Sequence, residues 1–241
     1  MEKINKQCCR EFSSLAVDDV FKIRQHLGRD ISHILDVGAN IGLFSNLATN
    51  LFPRARVTAV EPCGEIFNVM RRNVESMVNV TTVHAGFGPD GYVKPVLDKK
   101  FPVGTIAAPC GEKEKNAVLS MSLPTIFNTF DNVGNYMLKF DCEGAEASMI
   151  GDKPSEEILK GAFHIGMEIH FMCPDPKSVN WPAWSVYNDW VHDMFMDTHD
   201  ILYHCSSTKR GYGHYVLRKK DLPDMDLIPM PVKSIKPQKY S

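Results

Sequence analysis

Four short segments of this chain gather the residue types that can do chemistry. Asp36-Val37-Gly38-Ala39-Asn40-Ile41-Gly42 places a carboxylate directly before a turn interrupted by two glycines. Glu61-Pro62 ends a second apolar run, twenty-five positions after Asp36. Lys139-Phe140-Asp141-Cys142-Glu143-Gly144-Ala145-Glu146 packs three carboxylates and a lysine into eight residues. Glu168-Ile169-His170 ends a further apolar run and sets an acid and an imidazole two positions apart.

The first two segments describe a nucleotide pocket. A glycine turn lets backbone approach a ligand closely, and an acid at the end of the next strand accepts hydrogen bonds from ribose hydroxyls. A dinucleotide pocket wants three glycines spaced G-x-G-x-x-G, but Asn40 stands where the second belongs. Asp36 would also face a pyrophosphate, which is electrostatically unfavourable. S-adenosylmethionine carries an α-ammonium and no phosphate, so Asp36 suits it. Asn40 tolerates a left-handed backbone while offering an amide.

The other two segments supply acid–base groups. Strand alternation sends Lys139 and Asp141 to one side, where they can pair. Glu168 and His170 likewise share a face, and an imidazole beside a carboxylate suits a general base. Blander roles compete. Glu143 and Glu146 would complement a helix N-terminus, and His170 would serve as a hydrogen-bonded structural residue. Asp141, Glu143, Glu168 and His170 could also offer ligands to Mg²⁺, though no spacing compels a metal.

Positioning these segments requires strands alternating with helices. A helical pattern spans residues 12–28, and strands are expected over 31–37, 56–60, 80–84, 136–141 and 163–169. Helices are expected over 42–51, 64–77, 123–130, 145–150 and 181–196. Strands at 201–204 and 214–217 would form a closing hairpin. The expected fold class is α/β, with a mostly parallel seven-stranded sheet, a C-terminal antiparallel hairpin and helices on both faces. Residues 86–118 are rich in glycine and proline and suggest an irregular insertion, a loop or hairpin beside the sheet. No linker divides the chain, so residues 1–241 are expected to form one domain, with an N-terminal helical segment over 1–30 and an irregular tail over 222–241.

Composition narrows the partners. The 241 residues are 44% hydrophobic and 23% charged, with a net charge of −2. That balance gives no reason to expect nucleic acid or an anionic membrane as partner. No apolar run reaches the ~18 residues of a membrane span. The seven cysteines form no Cys-x-x-Cys pair, and the N-terminus lacks a signal-peptide core. Both point to free thiols in the cytoplasm.

Together and in this order, the four segments resemble the FkbM-type family of S-adenosylmethionine-dependent methyltransferases over about residues 31–171. The resemblance implies a Rossmann-like class I methyltransferase fold with a reversed final strand. It implies O-methylation of a small molecule or glycan, most often a sugar, with S-adenosylhomocysteine as product. An N-methyltransferase, an NAD-dependent oxidoreductase and a non-catalytic cofactor-binding module are the alternatives. Asp36, Gly38, Ala39, Asn40 and Gly42, with Asp141, would hold the methionine part of the cofactor. Glu61-Pro62 would hold the ribose, and Gly86-Phe87 the adenine. Asp141 or His170 would be the base, with Glu168 orienting His170 and Lys139 positioning Asp141 or an acceptor oxygen. An acid that such proteins carry before the fourth strand is missing at Leu119-Ser120 and at Leu123-Pro124.

Overall fold

In chain order the strands are β1 (His33–Val37), β2 (Arg56–Val60), β3 (Val80–Val83), β4 (Gly86–Phe87), β5 (Gly91–Leu97), β6 (Thr105–Pro109), β7 (Val118–Met121), β8 (Tyr136–Phe140), β9 (His164–His170), β10 (His199–Ser207) and β11 (Tyr212–Lys219). The helices are α1 (Leu43–Leu51), α2 (Gly64–Asn73), α3 (Leu123–Phe127), α4 (Lys153–Gly161) and α5 (Trp184–Phe195). The computed structural model describes residues 19–97, 105–171, 182–207 and 211–220.

Seven strands form the main sheet in the order β10-β11-β9-β8-β1-β2-β3. β1 pairs in parallel with β2 and with β8, and β8 with β9, while β11 runs antiparallel to β9 and to β10. This is the Rossmann-like class I methyltransferase arrangement: mostly parallel, closed by an antiparallel hairpin. The chain leaves β1 toward β2 and β3, then crosses back to β8 on the other side. Open sheets bind ligands at such a switch point, beyond the carboxyl ends of the strands. Both β1 and β8 are buried at all five positions, as central parallel strands covered on both faces should be.

Alternation along β1 sorts its side chains between two cores. Leu35 and Val37 join Leu138, Phe140, Ile165 and Met167 under α3, α4 and α5. Ile34 joins Val57, Met137 and Phe163 beneath Phe44 and Ala48 of α1. Each fully buried aliphatic chain contributes roughly 1.5–3 kcal/mol through its removal from water. Asp36 also points to the α1 side, where a charge needs a partner.

Several expectations change. Of the helix expected over 12–28, residues 12–18 lie outside the described residues, and only a 3₁₀ turn, Ile23–His26, forms in the rest. Asp19 and Lys22 adopt left-handed φ of 47° and 52°, which interrupts a helix. Of the loop or hairpin expected in the insertion, the hairpin side holds: β5 and β6 pair antiparallel, and with β4 and β7 they make a second sheet in the order β4-β7-β5-β6. Asp90 ties that sheet to α3 by accepting from the Ser122 amide and the Thr125 hydroxyl, each at 2.7 Å. No expectation covered α4, although Asp152 caps it by accepting from the Ser155 amide, with Pro154 in its first turn. The expected tail lies outside the described residues. Among these, no helix is long and apolar enough to cross a membrane.

Candidate active site at the switch point

The turn after β1 is built from left-handed residues: φ is 72° at Gly38, 51° at Asn40 and 85° at Gly42. Gly38 is dictated by crowding as well. A Cβ there would lie 1.8 Å from the Asp141 carbonyl oxygen. Asn40 stabilises its own conformation, its Oδ1 accepting from the Ile41 amide at 2.7 Å. Gly42 opens α1 and lies against α2, with a Cβ position 3.1 Å from Met70 and 3.2 Å from Val74. Its work is packing, and it is absent from the cavity wall.

Glu61 closes the other side of the turn. Its Oε2 accepts from the Asn40 amide at 3.1 Å and its Oε1 from the Cys63 amide at 2.8 Å. Burial raises its pKa to about 7, despite these two bonds to the charged form. Each carboxylate oxygen keeps a second lone-pair direction for a ligand hydroxyl.

Asp36 corrects an expectation. It does not present its carboxylate to a ligand: it is fully buried and absent from the cavity wall. Its Oδ2 accepts from the Ser45 hydroxyl at 2.6 Å, and its Oδ1 lies 3.1 Å from Lys139 Nζ. A charge removed from water on the α1 side must be paired, and Lys139 is the pair. The ammonium also donates to the carbonyls of Gly38 at 2.8 Å and Val37 at 3.3 Å. It lies 5.9 Å from the rings of Phe21 and Phe44, and 3.9 Å from Asp141 Oδ2. Burial disfavours its charge, but Asp36 and Asp141 outweigh that and hold the Lys139 pKa above the ordinary lysine value. Lys139 is thus a clamp joining β8 to the turn, next to Asp141 as expected.

Beyond β8 the backbone bends sharply, with φ of 52° at Glu143 and 95° at Gly144. Glu146, wholly buried, holds this bend by accepting from the Cys142 and Gly144 amides, each at 2.8 Å. Its Oε1 also lies 3.5 Å from His170 Nδ1. The other nitrogen, Nε2, faces Glu143 Oε2 at 3.4 Å and Glu168 Oε1 at 3.5 Å. Burial alone would lower the His170 pKa, yet Glu146, Glu143 and Asp141 raise it to about 10. Burial, reinforced by Asp141, pushes Glu168 up to about 8. His214 adds a second imidazole, its Nε2 3.4 Å from Glu168 Oε2. Sheet register explains the convergence: β11 sets His214 opposite Glu168 and Tyr212 opposite His170.

A cavity of about 360 Å³ joins the two groups. Gly38, Ala39, Asn40, Glu61, Pro62 and Phe87 line one part, and Lys139, Asp141, Glu143 and Glu168 line the other. This volume is typical of small-molecule and cofactor sites. Gly86 does not reach the cavity: a Cβ there would lie 2.3 Å from Val93 Cγ2, so it serves contact between β4 and β5. His170 is also off the wall, held behind Glu143 and Glu168. Among the other residues of the wall, the sequence reading missed Val20, Phe21, Phe44, Ala107, Tyr212 and His214. Tyr212 and His214 alternate on one strand, but only the pairing of β11 with β9 gives that alternation meaning.

No protein-family model matches the sequence, and a comparison with curated proteins finds no match. Among solved structures, the chain is similar to a precorrin-6y C5,15-methyltransferase from Geobacter metallireducens GS-15, at 15% identity over 84% of this chain and 87% of that one, with a TM-score of 0.46. It is also similar to a SAM-dependent methyltransferase from Aquifex aeolicus, at 14% identity over 86% and 93% of the two chains and a TM-score of 0.43. One from Leishmania major shares 13% identity over 86% and 71%, at 0.47. These likenesses lie in the general course of the chain; the chemistry of the site rests on the residues that line it.

Proposed function

We propose that this chain is an S-adenosylmethionine-dependent methyltransferase of the FkbM type, acting on a hydroxyl oxygen of a small molecule or glycan. The observation that carries the reading is one cavity with two unlike parts. The left-handed turn and Glu61 form a cofactor cradle, and Asp141, Glu143 and Glu168 form an acidic floor beside it. The cradle fits the cofactor. Gly38 brings backbone close, Glu61 offers free lone pairs to a ribose, and Phe87 with Ala85 gives an apolar wall for an adenine. The choice of a sugar as acceptor follows from the resemblance alone.

When bound, the cofactor supplies an activated methyl group on a sulfonium. The protein's residues then have three tasks. Glu61 and the turn fix the donor's position, and alignment of donor with acceptor is a large contribution to the rate. Phe21, Phe44 and Phe87 keep water from the reacting centre. Asp141, the base candidate that opens onto the cavity, takes the hydroxyl proton as the new bond forms. Glu146 and His170 hold the bend that places Asp141 and Glu143, so His170 is a positioning residue. This revises its expected role as a base.

Calorimetric titration tests the reading. S-adenosylhomocysteine should bind one to one, Glu61→Ala should weaken it about a hundredfold through loss of charge-assisted bonds, and NAD should give no heat. Binding of NAD in preference to S-adenosylhomocysteine would sink the proposal. Asp141→Asn should retain the ligand while slowing methyl transfer about 100-fold or more.

A further inference from the structure

The floor of the cavity carries more negative charge than methyl transfer to a neutral hydroxyl needs. Asp36 is neutralised by Lys139, which leaves Asp141, Glu143, Glu146 and Glu168 converging around His170 and His214. Four carboxylates thus face two imidazoles, so the cluster holds more acids than bases. A bound sulfonium cofactor brings one net positive charge and sits over the turn, so it does not balance this cluster.

We propose that Asp141, Glu168 and His170 bind a divalent transition-metal cation. The three residues already offer one ligand atom each within 4.8 Å of the others, and His170 Nε2 is 3.5 Å from Glu168 Oε1. A dication with bonds of about 2.0–2.2 Å places its donors roughly 3–4.4 Å apart, so only small side-chain adjustments are required.

Two independent features point the same way. His170 turns its Nδ1 toward the buried Glu146, which is itself anchored by two backbone amides. Metal-binding histidines are oriented in this way, with a carboxylate on one nitrogen and the metal on the other. His214 lines the cavity with its Nε2 3.4 Å from the far oxygen of Glu168, which holds that carboxylate in place beside His170. Imidazole in the donor set favours Mn²⁺, Fe²⁺, Co²⁺ or Zn²⁺ over Mg²⁺, which prefers oxygen donors and retains water. The consequence for catalysis rests on the methyltransferase reading: a dication here would acidify an acceptor hydroxyl beside Asp141.

Titrating the metal-free protein with Mn²⁺ under electron paramagnetic resonance, with no methyl donor present, tests the site. One equivalent of Mn²⁺ should lose its free-ion spectrum, and spin-echo spectra of the wild-type complex should show nitrogen coupling from a coordinated imidazole. Asp141→Asn and His170→Gln should each weaken binding about tenfold or more, and Glu146→Gln should weaken it as well. A free-ion spectrum with wild-type protein, or bound Mn²⁺ without nitrogen coupling, overturns the proposal. Calorimetry with S-adenosylhomocysteine separates the two readings. Protein that binds S-adenosylhomocysteine but fails to bind Mn²⁺ loses only the metal site, and protein that binds Mn²⁺ but fails to bind S-adenosylhomocysteine loses only the methyltransferase reading.

Discussion

A methyl group at position 38 would collide with the Asp141 carbonyl at 1.8 Å and force an alanine to φ of 72°. Neither β1 nor β8 can retreat, because both lie in the middle of the sheet. Gly38→Ala should therefore lose about 3 kcal/mol or more of stability in urea titration. A loss within the scatter of surface substitutions would show that the turn can yield. Glu61 makes a different prediction. Its pKa near 7 comes from burial, so about half the ligand-free protein holds it protonated at neutral pH. Because a ribose needs the ionised acceptor, affinity for S-adenosylhomocysteine should fall about tenfold from pH 8 to pH 6. An affinity independent of pH over that range would mean that Glu61 does not contact the ligand. The types of both residues were legible in the sequence, but Asp36 shows the limit. Its position before the turn was clear, while its direction was decided by Lys139 across the sheet, a partner 103 positions away that β1–β8 register alone supplies.

At the scale of elements, the segment before β1 matters because Val20 and Phe21 close the cavity. A histidine relay pins it. His164 Nε2 donates to the Phe21 carbonyl at 2.7 Å, so its Nδ1 is the acceptor for His26 Nε2 at 3.0 Å. His164 must be neutral for this relay, because its Nδ1 accepts. Burial lowers the His164 pKa to about 4 and the His26 pKa to about 2, with Arg218 and Arg29 pressing the same way on His26. Below pH 6.5 the unfolded chain binds protons that the folded one excludes, so this contribution is complete above pH 6.5 and is lost as pH falls. Glu61 acts in the opposite sense, since its raised pKa makes the fold gain stability as pH drops from 7 toward 4.5. Comparison with His164→Gln isolates the imidazole. Between pH 7 and pH 5, wild type should lose about 2 kcal/mol relative to the variant in urea titration. A difference that stays constant with pH would exclude the relay. None of this was visible in the sequence, where Val20, Ile23 and Leu27 mimic helical periodicity. Phe21 and Ile23 instead join a core beneath α1, and Phe21 also faces the cavity. The central strands β1, β2, β8 and β9 were legible because β-branched and apolar runs buried on two faces leave little alternative. The second sheet was legible only as a hairpin; its extension to β4 and β7 was not, because those short strands lie among turns rich in glycine and proline.

For the whole molecule, the decisive fact is that no one half owns the cavity. Its cradle hangs from β1 and β2, its floor from β8 and β9, and His214 and Tyr212 come from the reversed strand β11. A ligand held there touches both sides of the point where the chain crosses back, and the unfolded chain offers nothing comparable to bind. S-adenosylhomocysteine should therefore stabilise the entire sheet by mass action, by about 2.7 kcal/mol at a free concentration one hundred times its Kd. The shift should appear equally in tryptophan fluorescence, which follows Trp184 and Trp190 on α5, and in far-ultraviolet circular dichroism, which follows the sheet. A midpoint that moves by one probe and not the other would mean that the cradle and the hairpin side unfold separately. In that case the cavity would join two independent units, and the acidic floor could not depend on the cofactor turn for its geometry.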